Sequence, residues 1–223
     1  MESTDTHIPQ EAAFYHRRWL SAYDLIVLGL VSRWVWRCSR RTMLAHYDRQ
    51  VGARHLDIGP GTGWYLDHCR FPADSPSITL LDANDAALST AAGRIERYRP
   101  ATRVRDALQP FDLGAARFDS VGMSFLLHCL PGPMAHKAAV LDHVTPYLVP
   151  GARVFGSTVL GVDAPHTTRS GRLLRRLNRS GVFSNFDDRA EDLAAQLAAR
   201  FTDVEVTVTG VVCLFSARFP GSR

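Results

Sequence analysis

In His55–Leu66, HLDIGPGTGWYL, glycine stands at every second position from Gly59 to Gly63, directly behind Asp57 and a short apolar run. Glycine carries no Cβ and adopts left-handed backbone angles freely, so this spacing predicts a tight turn that lets the main chain approach a ligand closely. The apolar run before it reads as a strand and the amphipathic stretch after it as a helix. A turn of that kind belongs at the carboxyl edge of an open α/β sheet, where such sheets bind ligands.

The rest of the chain supports that architecture. From residue 53, short apolar runs alternate with amphipathic stretches, the order expected of a parallel sheet with helices on both faces. Strands are expected over about 53–58, 77–82, 102–105, 118–124 and 152–158, and helices over about 62–70, 85–98, 133–148 and 187–200. Pro150-Gly151 reads as the turn into the fifth strand. DVEVTV and VVCLFSARF, separated by Thr209-Gly210, read as a closing β-hairpin. Upstream, three helical patterns over about 11–21, 23–37 and 40–51 form an expected cap. In the second, Tyr23, Ile26, Val27, Leu30, Val31 and Trp34 share one helical face. The reading is therefore a helical cap over 1–51 and a single core over 52–223, with 161–185 as a long Gly-, Ser-, Thr- and Arg-rich connection or lid.

Composition narrows the function classes. The chain has 223 residues, 26 basic and 22 acidic, enough for one well-buried domain with appendages. Its only lysine is Lys137, and the arginines are dispersed without a block of five, which argues against nucleic acid as a partner. Cys38, Cys69, Cys129 and Cys213 have no CxxC spacing and sit in segments read as helix or buried strand, so neither a metal site nor a disulfide scaffold is expected. Met1–Ala13 lacks the basic-then-apolar order of a secretory signal. The longest apolar run, Tyr23–Trp36, falls short of the roughly 20 residues of a membrane helix. A cytoplasmic protein without a membrane span, monomeric or homodimeric, is the expectation.

Several glycine-loop chemistries fail on residues. GPGTGWY has no Lys-Ser/Thr for a P-loop, and its GxGxG spacing departs from the GxGxxG of dinucleotide folds. A short-chain oxidoreductase needs Tyr-x-x-x-Lys, whereas Pro133 stands four residues before Lys137. DIGPGTG over 57–63 instead resembles the D/E-x-G-x-G-x-G motif of the class I S-adenosylmethionine (SAM) dependent methyltransferases, and the resemblance spans about 53–218. It implies a three-layer, doubly wound α/β fold, with a seven-stranded, mostly parallel sheet ending in an antiparallel hairpin. It also implies SAM as cofactor and S-adenosylhomocysteine (SAH) as product. Asp57, Gly59, Gly61 and Gly63 would then shape the methionine pocket. Asp82, with Ala83 and Asn84, closes the second strand where the family binds ribose. Asp106 and Ala107 follow the third strand beside the adenine, and Ser124 ends the fourth. Tyr23 resembles a tyrosine that meets the methionine end of SAM in small-molecule members.

The loop Met123–Pro131 faces the transferred methyl in this family and lacks the D/N-P-P-Y/F tetrad of enzymes that methylate nucleobases or glutamine. A small, apolar or aromatic acceptor methylated at O, N or S is therefore expected. Tyr15, Trp19, Tyr65, Phe125 and His128 are candidates for its pocket. His128 is the one conventional base of that loop, with the alternative of a structural histidine. Cys129 reads as a small buried hydrophobe. An RNA or protein methyltransferase using Arg33–Arg41 and Arg172–Arg179, and a non-catalytic SAM-binding partner, are the rival readings.

Overall fold

The computed structural model describes residues 31–221, so the first expected helix, most of the second, and Tyr15, Trp19 and Tyr23 lie outside the described residues. The described chain runs α1 (Arg40–Gln50), β1 (Arg54–Ile58), α2 (Trp64–His68), β2 (Ser77–Asp82), α3 (Asp85–Arg94), β3 (Ala101–Val104), β4 (Phe118–Ser124), α4 (Met134–Lys137), α5 (Ala139–Val144), β5 (Leu148–Val159), α6 (Thr168–Arg179), α7 (Ala190–Ala198), β6 (Thr202–Thr209) and β7 (Val212–Arg218). One seven-stranded sheet has the order β3-β2-β1-β4-β5-β7-β6. Strands β1 to β5 pair in parallel, while β7 runs against both β5 and β6. This is the expected doubly wound α/β sheet with its closing hairpin.

The order reverses between β1 and β4, and a reversal opens a crevice at the carboxyl edge. β1 and β4 are accordingly buried on both faces, as apolar runs in parallel sheets require. On one face, Leu56, Val121, Val154 and Phe215 pack under α5 and α7. On the other, Leu80, Phe155 and Val212 pack with Tyr47 of α1, Leu88 of α3, Leu174 of α6 and Trp36.

Element edges moved where backbone chemistry overrode periodicity. The single helix expected over 133–148 is α4, α5 and a 3-10 turn over Thr145–Tyr147. At Ala138 the ladder tightens, Leu141 N–H bonding Ala138 O at 2.9 Å, and Pro146 then has no N–H to continue it. Pro150-Gly151 lies inside β5, not before it. Gly151 has φ +81° and the register with β4 shifts there, so the pair forms a bulge that lengthens the strand. The second expected helix ends before residue 37: Arg37 has φ +57°, and Trp36 O accepts Val211 N–H at 2.9 Å. A Cβ on Gly210 would stand 2.2 Å from Trp36 O, so only glycine lets the hairpin turn hold the incoming chain.

The connection 161–185 is structured. It carries α6, whose Thr167–Ser170 capping box satisfies the first turn. Asn185, 1% exposed, donates to Val159 O at 2.7 Å and accepts from Asn178 Nδ2 at 2.9 Å. Just beyond, the buried Lys137 ammonium lies 2.6 Å and 2.8 Å from the two oxygens of Asp188 and 2.6 Å from Ser184 O. Burial outweighs their mutual attraction, moving Lys137 down and Asp188 up from their ordinary pKa values. The four cysteines are free, and Cys129 is exposed, contrary to its reading as a buried hydrophobe, because the 3-10 turn Leu127–Cys129 carries it to the rim.

Candidate functional site

The glycine turn divides its labour. Gly59, Gly61 and Gly63 all have positive φ, near +68°, +55° and +73°. A Cβ on Gly61 would meet nothing within 4 Å, so open space lies above the turn. Gly63 serves packing instead: a Cβ there would press on the Ala91 backbone at 3.0 Å, so glycine lets α2 lie against α3.

Beside the turn lies a cavity of about 120 Å³ lined by Gly59, Asp82, Ala83, Asp106 and Ala107. The ends of β1 and β2 and the loop after β3 thus bring five sequence-expected residues onto one wall. Leu126 and Leu130, from the loop read as facing the methyl, form the apolar side, and Arg105, which was not anticipated, completes the lining. Asp82 Oδ1 accepts Asn84 N–H at 2.8 Å, which fixes the carboxylate at the strand end. Burial, ahead of the nearby Asp57 charge, holds the Asp82 pKa above the ordinary carboxylate value. Asp106 Oδ1 accepts Leu108 N–H at 2.9 Å in the same self-bracing manner. Asn84 points elsewhere: its side chain caps α3 by accepting from Ala86 and Ala87 N–H.

Asp57, 3% exposed, stands behind the turn within a buried relay. Tyr47 O–H donates to Asp57 Oδ2 at 2.6 Å, and the Tyr47 oxygen lies 2.8 Å from His55 Nε2. His55 Nδ1 lies 2.8 Å from Ser120 Oγ, which accepts Gly52 N–H at 2.7 Å. One proton arrangement satisfies every contact: Ser120 O–H donates to His55 Nδ1, and His55 Nε2–H donates to Tyr47. His55 therefore aims the Tyr47 hydroxyl at the carboxylate, and burial and the Asp57 charge hold Tyr47 protonated by raising its pKa well above 10.0. Gly122 on β4 leaves room for this, since a Cβ there would come 3.1 Å from Asp57 Oδ2.

Comparison with known proteins supplies the chemistry. A family model described as "Methyltransferase domain" matches residues 56–154. The chain is 38% identical over 219 residues to demethylluteothin O-methyltransferase of Streptomyces thioluteus, covering 96% of this chain and 95% of that one. It is 39% identical over 210 residues to the physcion biosynthesis cluster O-methyltransferase of Aspergillus chevalieri, covering 93% and 94%. Among solved structures, the N-methyltransferase NodS from Bradyrhizobium japonicum WM9 in complex with SAH superposes with TM-score 0.58 and 22% identity, over 81% of this chain and 86% of that one. The chain belongs to the class I SAM-dependent methyltransferases.

The site of this methyltransferase fits its cofactor. The open space over Gly61, the strand-end carboxylate of Asp82 and the cavity beneath Ala83 and Ala107 together suit an extended nucleoside with a polar sugar and an amino-acid tail.

On the methyl-transfer side, Ser124 ends β4 half-buried, in register with Ser157 of β5. Phe125 follows with φ +61°, a strained angle for a bulky residue, held by its N–H to Ser157 O at 2.7 Å. That strain turns the chain into the Leu127–Cys129 turn and sets Phe125 edge-on to His128 at 5.4 Å. His128 itself is 2% exposed and wedged against Phe183 at 4.2 Å. Its Nδ1 accepts Val159 N–H at 3.2 Å, which leaves the other nitrogen as the N–H. Burial pushes its pKa down to about 3. This geometry fits the structural histidine and not the base: one lone pair is taken and the other nitrogen carries a proton.

Tyr65, expected in the acceptor pocket, packs on α1 among the described residues. It is 9% exposed, stacked on Tyr47 with ring centroids 5.6 Å apart, and its hydroxyl reaches Met43 Sδ, so it belongs to the packing between α1 and α2. Among the described residues no cluster of His, Cys, Asp or Glu is suited to a metal ion, and no helix is long and apolar enough to cross a membrane.

Proposed function

We propose that this methyltransferase places the methyl group on a phenolic oxygen of a small, apolar, ring-containing molecule of secondary metabolism. The observation that carries the reading is the cavity wall. It joins two carboxylates, Asp82 and Asp106, to the apolar Leu126, Leu130 and Ala107, and offers Arg105 as its one cation among the described residues. Such a wall suits a nucleoside and repels a polyanion, which weighs against RNA. The two relatives above are named for O-methylation, which favours oxygen over nitrogen or sulfur.

In this reading Asp82 accepts hydrogen bonds from the ribose hydroxyls, and Asp106 and Ala107 meet the adenine. The Gly59–Gly63 turn, with Asp57 behind it, holds the methionine end. SAM, when bound, supplies a methyl carbon already activated by its sulfonium. The chain's own task is positioning and exclusion of water, which in favourable intramolecular systems is worth roughly 7–11 kcal/mol. His128 acts by fixing the shape of the loop after β4. The test is a turnover screen with SAM against fused-ring phenols, the matching thiols and amines, and RNA. Methylation confined to phenolic oxygen supports the reading, and methyl transfer to RNA or amines alone would displace it. SAH binding without turnover of any acceptor would favour a non-catalytic partner role.

A further inference from the structure

Because β5 runs parallel to β4, and β4 to β1, its end at Val159 lies on the same carboxyl edge as the glycine turn. In the loop that follows β5, His166 has both ring nitrogens buried and neither has a hydrogen-bond partner among the described residues. Ser157, near the end of β5 and 2% exposed, has an Oγ in the same condition. Buried polar atoms are paired in the great majority of cases, because leaving one unpaired forfeits its solvation without return. The buried histidines among the described residues obey that rule: His55 uses both nitrogens, His46 Nε2 lies 3.0 Å from Phe215 O, and His128 accepts from Val159 N–H. Among the described residues, His166 is thus the histidine at this edge that keeps a nitrogen lone pair available to something other than the protein.

We propose that His166 is the catalytic base of the reaction, accepting a hydrogen bond from the acceptor's phenolic hydroxyl and then its proton. This assignment rests on the phenolic reading above. The phenolic oxygen forms its bond to the methyl carbon as the carbon–sulfur bond breaks, with that electron pair staying on sulfur. The hydroxyl proton moves to the imidazole lone pair, so the positive charge lost by the sulfonium reappears on His166 as imidazolium. Release of that proton to water restores the neutral ring.

The experiment uses the full chain and the variants His166→Ala and His166→Gln with a graded series of phenols from 2-naphthol to 4-nitrophenol. It is run at a pH where 4-nitrophenol is already a phenolate and 2-naphthol is not. With 2-naphthol, kcat/KM in His166→Ala is expected to fall by about 100-fold or more, whereas 4-nitrophenolate, needing no base, loses less than about 3-fold. Calorimetry supplies a readout independent of turnover. 2-Naphthol should bind the SAH-loaded His166→Ala protein several-fold more weakly than wild type, His166→Gln should recover that binding without the rate, and SAH affinity should not change. Equal losses on both phenols, or no loss, would overturn the proposal, and so would wild-type protein that binds SAH but turns over no phenol of the series. Wild-type protein that binds no SAH would instead overturn the methyltransferase reading itself.

Discussion

Replacing Tyr47 by Phe removes one oxygen from the core and cuts the relay behind the glycine turn at its midpoint. The lost bond is the 2.6 Å contact to the Asp57 carboxylate, and hydrogen bonds to charged groups contribute about 1.5–3 kcal/mol. His55 Nε2–H also loses its acceptor, but it already lies 3.3 Å from Asp57 Oδ2 and can close on it, recovering part of the loss. A net destabilisation of about 2 kcal/mol follows. With a urea slope of about 2 kcal/mol/M, the unfolding midpoint should fall by about 1 M. The carboxylate is then aimed by His55 instead of Tyr47, so SAH affinity should drop by about ten-fold, equivalent to 1.4 kcal/mol. Urea unfolding followed by circular dichroism, and calorimetric titration with SAH, measure the two quantities. A midpoint within about 0.2 M of wild type together with unchanged SAH affinity would show that the relay neither stabilises the fold nor positions Asp57.

Three further outcomes are expected. Asp82→Ala should remain folded and lose about 100-fold in SAH affinity by calorimetry, since the proposed reading gives Asp82 two charge-assisted hydrogen bonds to the ribose; wild-type affinity would remove Asp82 from the site. Lys137→Met should destabilise by about 3–5 kcal/mol in urea titrations by leaving Asp188 buried and uncompensated, and the double variant Lys137→Met, Asp188→Leu should recover most of that loss. For His128, the folded pKa of about 3 lies below the unfolded value near 6.5, so below pH about 6.5 the unfolded chain binds a proton that the folded chain refuses. Its contribution to stability is complete above that pH and is lost progressively down to about pH 3. Urea midpoints at neutral and acidic pH should therefore fall more steeply for wild type than for His128→Gln.

The sheet was legible because buried parallel strands are written as apolar runs, and β1, β2 and β4 begin and end where those runs do. The cofactor wall was legible for a related reason. Gly59, Asp82 and Asp106 sit at strand ends, and strand ends in a parallel sheet converge on one edge without further information. The relay behind Asp57 was harder, because Tyr47 reads as an ordinary apolar position of α1 and its bond to Asp57 depends on how that helix docks. A signal was nevertheless present: His55 is a polar side chain inside a run that must be buried, and a buried imidazole demands partners. For Tyr65, an aromatic residue just beyond the glycine turn reads equally well as pocket wall or as core, and its stacking on Tyr47 depends on how α1 docks. His128 drew attention as the base in the right loop, but its tautomer is set by the β5 backbone, invisible in the sequence. His166 lay in a stretch of Gly, Pro, Thr and Asp that reads as featureless connection, and only the count of unpaired atoms singles it out.

Every role proposed above depends on the cleft at the sheet's carboxyl edge being a SAM site. Calorimetric titration of the wild-type protein with SAH measures this most directly. Saturable binding to one site per chain is the predicted result, and a folded protein that takes up no SAH at millimolar concentration would contradict it.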